Sequence, residues 1–157
     1  MQQTEHESFG APEETREFPD SAMDIAALID RYDAAWNGQD LDAIASMHDD
    51  AIVFHNHTAG ERVDGAAAVR DHIGAIFARW PTLRFERRAL RVGDDFAVSE
   101  WTAHATHPDD GRRLEWDGVD IFPIAAGGRI ARKDVYSTSG TPRVLSTRPS
   151  DRIVSAS

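Results

Sequence analysis

The chain has 157 residues, the length of one domain, with 17 basic and 27 acidic residues for a net charge of −10. That acidity argues against a nucleic-acid partner or an anionic membrane, since both are bound through clustered Lys and Arg. There is no cysteine, which excludes disulfides, thiolate nucleophiles and Cys-ligated zinc or iron–sulfur centres, and no apolar run nears the roughly 18 residues that cross a bilayer.

Residues 1–20 carry six acids and one Arg with no hydrophobic period, and read as a disordered acidic tail. They have neither the basic start nor the apolar core of a secretory signal, so the expected compartment is the cytoplasm. Residues 143–157 are equally aperiodic and read as a second tail. A single folded unit is expected over residues 21–142, and both tails are expected to be dispensable for it.

That unit opens with helical spacing. Ile25, Leu28, Ile29, Tyr32 and Trp36 fall on one face, with Ser21 as an N-cap and Asn37-Gly38 as a stop. Asp40 caps a short second helix carrying Leu41, Ile44 and Met47. A strand follows over Ala51–His57. Asp64 then caps a third helix lined by Val69, Ile73, Ile76, Phe77 and Trp80, which Pro81 ends. Beyond it the period changes to two. Strands are expected over Leu83–Val92, Phe96–His107, Leu114–Ile124 and Arg129–Thr138, separated by the turns Gly93-Asp94, Pro108–Gly111 and Gly127-Gly128. The order α-α-β-α-β-β-β-β, with short turns late in the chain, predicts an α+β domain whose curved antiparallel sheet wraps around helices.

Alternation sorts the strand residues by face. Leu114, Trp116, Gly118, Asp120 and Phe122 share one side of their strand. Were that side buried, the Asp120 carboxyl would rise in pKa and act as a hydrogen-bond donor; on an edge it would be a solvated or Arg-paired carboxylate. Val53, His55 and His57 also share a face. His-x-His can turn two imidazoles toward one metal ion, but no further ligands are evident, and no tightly bound metal is expected. His55 is alternatively a general base or a structural histidine. Tyr32 lies on the apolar stripe of the first helix, where its hydroxyl needs a partner. Trp101 packs in the core or lines a cavity. The pairs Asp49-Asp50 and Asp109-Asp110 sit in turns and read as solvated.

The stretches LIDRYDAAWNGQDLDAI, HDDAIVFHN, GAAAVRDHI, GVDIF and GRIARKDVY resemble the SnoaL-like branch of the nuclear transport factor 2-like superfamily over about residues 24–138. The resemblance implies a cone-shaped α+β barrel in which a curved antiparallel sheet and three helices enclose an apolar pocket, commonly as a homodimer. It implies a small apolar substrate or ligand and no cofactor. The site pattern is most similar to ketosteroid isomerase: Tyr32 falls at that family's oxyanion-hole Tyr, Asp120 at its protonated Asp, and His55 where its Asp base stands. On this resemblance Tyr32, His55 and Asp120 are the catalytic set, and Val53, Trp101, Trp116, Phe122 and Val135 line the substrate site. Other branches match less well. Polyketide cyclases and limonene-type epoxide hydrolases carry an Asp at the position of Val135, with Asp134 one residue off. The hydrolases carry an Arg and an Asp where Trp101 and Ala103 stand, and the dehydratases an Asp at Asn37. The reading that follows is a proton-transfer enzyme, isomerase or polyketide cyclase in type, acting on an apolar carbonyl compound. Its alternative is a non-catalytic ligand-binding module.

Overall fold

The computed structural model describes residues 21–146. The expected tail 1–20 and most of the second tail lie outside the described residues. The elements are α1 (Ser21–Asn37), α2 (Leu41–Met47), β1 (His48–Asn56), β2 (Glu61–Asp64), α3 (Ala66–Arg79), β3 (Arg84–Val92), β4 (Phe96–Thr106), β5 (Arg113–Pro123), β6 (Ile130–Ser137) and β7 (Arg143–Ser146). Among the described residues no helix is long and apolar enough to cross a membrane.

The helices form where the spacing places them. Ile25, Leu28, Ile29, Tyr32 and Trp36 are all buried, so the stripe on α1 is the core face. Asp40 caps α2, its carboxylate accepting from the Ala43 N–H at 3.1 Å. Asp64 does not cap α3. It ends β2, and Gly65 takes the cap position with φ of 93°, a backbone conformation that favours glycine, without a side-chain hydrogen bond. Asn37 is structural: its amide donates to the Phe85 carbonyl at 3.0 Å and accepts from the Phe85 N–H at 2.8 Å, tying the end of α1 to β3. An Asp there could not supply the amide donor.

Among the described residues seven strands build one curved, unclosed sheet in the order β2-β1-β6-β5-β4-β3, with β7 pairing β5 beside that path. Every pairing is antiparallel except one. β1 runs parallel to β6, with His55 opposite Asp134 and Asn56 opposite Val135. The sheet is thus mixed, not purely antiparallel as expected. About seventy residues separate the two strands, so no local turn could have signalled their pairing. α1 packs on β3 and β4, and α3 on β1 and β2, which leaves the helices on the concave side. Arg87 of β3 grips Asp30 at 2.7 Å and Asp33 at 2.6 Å, holding α1 at the sheet's far edge. On β5 the ring of Trp101 lies over Gly118, where a Cβ would meet it at 2.2 Å. Glycine is required there for close approach.

The boundary of the second tail is corrected by β7. Arg143 donates to Glu115 at 2.7 Å and to Asp117 at 2.7 and 3.1 Å, and its hydrogen bonds, with that from Thr102, hold the Asp117 carboxyl down at about 2. Ending the chain after Pro142 should therefore lower the thermal midpoint by about 3 °C or more relative to ending it after Ser146. Equal midpoints in a melting experiment would mean that the β7 pairing adds nothing to the fold.

Candidate functional site

The concave side of the sheet and the helices enclose a cavity of about 490 Å³, within the usual range of small-molecule sites. All four tryptophans of the chain, Trp36, Trp80, Trp101 and Trp116, line it, joined by Phe54, Leu83, Phe85 and Val135. Polar residues among its lining include Asn56, Glu61, His72, His107 and Arg112.

One ion pair is built into this apolar wall. Lys133 of β6 donates from Nζ to Asp120 Oδ2 of β5 at 2.9 Å, and both side chains are more than nine-tenths buried. Asp120 is there because even positions of β5 face inward, and Lys133 because it is two residues from the inward Val135. Four rings surround the ammonium: Nζ lies 4.6 Å from the ring centre of Trp36, 5.0 Å from Phe122, 5.2 Å from Tyr32 and 5.9 Å from Phe54. Their negative faces replace part of the hydration that the charge loses. Burial pushes the Asp120 carboxyl above its ordinary pKa, and Lys133 offsets part of that rise. Three buried polar atoms have no hydrogen-bond partner among the described residues: Asp120 Oδ1, Trp101 Nε1 and Trp36 Nε1. All three residues line the cavity. The Trp101 indole faces the Asp120 carboxyl without completing a hydrogen bond to it.

The residues expected to act together do not all meet. Asp120 lines the cavity, where its Oδ2 accepts from an ammonium that the sequence reading lacked. Tyr32 lies beneath the floor, 1% exposed, with its hydroxyl 2.8 Å from His48 Nε2 and its ring edge-on to Phe122. Burial raises the Tyr32 pKa and lowers that of His48 to about 4, so both are neutral near pH 7. His55 is on the opposite face of β1 from Phe54 and Asn56, outside the cavity, where it stacks on His57. Of the expected lining, Trp101, Trp116 and Val135 are in place. Val53 shares the outer face with His55, and Phe122 is fully buried under Tyr32. Asp134 faces outward, opposite to Val135.

Sequence reasoning missed Lys133, His48 and Trp36. A signal existed for two of them: Lys133 shares alternation with Val135, and His48 with Ile52 and Phe54. In β1 the inward parity is that of Ile52 and Phe54, the more apolar set, which leaves Val53, His55 and His57 outside.

A curved mixed sheet with three helices on its concave side is the α+β fold of the nuclear transport factor 2-like class. Within that class the chain belongs to the SnoaL-like domain family, whose model matches residues 29–133. A comparison with curated proteins finds no match. Among solved structures, the proposed hydroxylase AclR from Streptomyces galilaeus is 22% identical with a TM-score of 0.64, covering 74% of this chain and 80% of its own. IdmH from Streptomyces antibioticus, a proposed polyketide cyclase, is 17% identical with a TM-score of 0.66 over 74% of this chain and 94% of its own. A proposed SnoaL-like polyketide cyclase from Shewanella denitrificans is 14% identical with a TM-score of 0.68 over 74% and 92%. At these identities the likeness extends to the fold.

The ion pair and the buried histidine each make a measurable demand. Lys133→Met leaves Asp120 buried without its ammonium and should cost about 3–5 kcal/mol in denaturant unfolding. Adding Asp120→Leu should recover most of that loss, and a double variant as unstable as the single one would remove the pair from this account. For His48, the folded pKa lies below the unfolded one. Its contribution to stability is complete above about 6.5 and is lost as pH falls toward 4. The wild-type chain should lose on the order of 3 kcal/mol across that window, and His48→Gln should flatten the profile.

Proposed function

We propose that the chain is a proton-transfer enzyme, isomerase or cyclase in type, acting on an apolar carbonyl compound. The observation that carries the reading is the buried Asp120–Lys133 pair in the wall of an aromatic cavity, with Asp120 Oδ1 left unpartnered. Asp120 is the base: its carboxylate takes a proton from the carbon next to the carbonyl, and the C–H electrons move onto the carbonyl oxygen as an enolate. Its raised pKa brings it closer to the working pH than an exposed Asp would be. One of the three Lys133 protons is committed to Asp120. The others stabilise the enolate oxygen as charge develops, and the aromatic surroundings strengthen that effect. Asp120 then returns the proton to another carbon, which isomerises the substrate; alternatively the enolate carbon attacks a second carbonyl and closes a ring, and the alkoxide formed takes the proton back from Asp120. The groups required are side chains of the chain itself. Neither His55 nor Tyr32 takes a step, in contrast to the reading from resemblance.

The relatives named as cyclases support this class of chemistry but do not select the substrate. A panel of enolisable ketones in heavy water, followed by NMR, reads proton transfer directly. Some member of the panel should exchange its α-protons. Asp120→Asn should slow that exchange by about 10²–10⁴-fold, Lys133→Met should also slow it, and His55→Ala should leave it unchanged. If ligands quench the cavity tryptophans but no ketone exchanges, the site is a binding module without catalysis. If His55→Ala alone abolishes exchange, Asp120 is not the base.

A further inference from the structure

The convex face of the sheet carries a second constellation that the cavity does not use. Alternation along β1 sets His55 on the outer side, and His57 follows in the turn just beyond the strand, the two ring centres 3.6 Å apart. The parallel register puts Asp134 of β6 opposite His55, and its Oδ1 lies 2.8 Å from His57 Nε2. One ligand atom from each of the three residues lies within 4.8 Å of the other two. The group is held in place. The His57 N–H donates to the Val135 carbonyl at 2.9 Å, the Tyr136 ring stacks on His57 at 4.3 Å, and Arg132 donates to Asp134 at 3.0 and 3.2 Å. All three are half-buried, so they are restrained yet open to solvent.

From this geometry we propose a site for a borderline transition-metal ion, Zn²⁺, Ni²⁺ or Cu²⁺, bound by the two imidazoles and the Asp134 carboxylate with water in the remaining positions. Imidazole nitrogen selects these ions, while a single carboxylate is too few oxygens for Ca²⁺ or Mg²⁺. The spacing His-x-His is visible in the sequence, but the third ligand comes only from the pairing of β1 with β6. Partial desolvation, then His57 and the nearby Arg62 and Arg132, hold His55 below the usual imidazole pKa, which favours the neutral form that binds metal. Burial alone would raise Asp134, but Arg132 and His57 together keep it below its ordinary value and thus ionised. Arg132 is also the main competitor, since its guanidinium occupies both carboxylate oxygens and must release one to the ion. Because the ligands come from both strands of the parallel pair, a bound ion cross-links β1 to β6. An ion held by the folded state alone raises stability. The site lies across the sheet from the cavity and does not depend on the proposed proton transfer.

The test uses the untagged full chain, stripped with chelator and titrated with zinc or nickel chloride by calorimetry, with melting curves in parallel. One equivalent should bind saturably and raise the thermal midpoint. His57→Ala, Asp134→Asn and His55→Ala should each weaken binding by about tenfold or more. Arg132→Gln should tighten it. His104→Ala, which removes a histidine paired with Glu86 and Glu115 elsewhere on the sheet, should change nothing. The His55 imidazole makes no side-chain hydrogen bond among the described residues, so His55→Ala should keep its metal-free midpoint and report ligation alone. Absence of saturable binding by the wild-type chain for either ion would overturn the site. So would affinity that survives all three ligand substitutions.

Discussion

The contact between Lys133 and Asp120 is the constraint around which this molecule is arranged. Two opposite charges stand at 2.9 Å, both more than nine-tenths buried, in a wall that is largely aromatic and aliphatic. Taking both from water costs more than a surface pair returns, so the pair persists only where its surroundings compensate. The compensation is visible in the rings of Trp36, Phe122, Tyr32 and Phe54 around the ammonium. Those rings come from α1, β1 and β5, so the packing of three separate elements is tied to one side chain of β6. The compensation is incomplete at the carboxylate, where Oδ1 has no partner.

The parallel pairing of β1 and β6 sets which residues the sheet presents on each of its two faces. On β6 the even residue Asp134 turns outward to His57, while Lys133 and Val135 turn into the cavity. A shift of register by one residue would exchange these sets, placing a carboxylate inside and an ammonium on the surface. The backbone bond from His57 to Val135 and the opposition of His55 to Asp134 hold the register at the point where both faces depend on it. Membership of the SnoaL-like family explains the frame, but not what the cavity accepts, because relatives with different chemistry share that frame. The departures from the related active sites have physical reasons here: Asn37 links α1 to β3, Trp101 covers Gly118, and Val135 leaves the β6 wall apolar beside Lys133.

Sequence alone determined the local periodicities. The stripe on α1 is legible because five apolar residues recur at helical spacing, and the inward face of β5 because Leu114, Trp116, Asp120 and Phe122 alternate. The Asp40 cap follows from a local side-chain bond. Asp120 was legible as an inward carboxyl for the same reason. The tertiary structure decided what those side chains meet. Lys133 reaches Asp120 only through the β5–β6 pairing, and Asp134 joins the two histidines only through a parallel pairing that no turn encodes. His55 was misplaced because a count along a family pattern does not say which parity of a strand faces in; the balance of Ile52 and Phe54 against Val53 does, and it resolves only once a core lies on one side. β7 escaped notice because four residues carry no period, and its partners Glu115 and Asp117 stand nearly thirty residues earlier. Spacing along the chain sets which side of an element a residue occupies, whereas pairing across the sheet sets its neighbours.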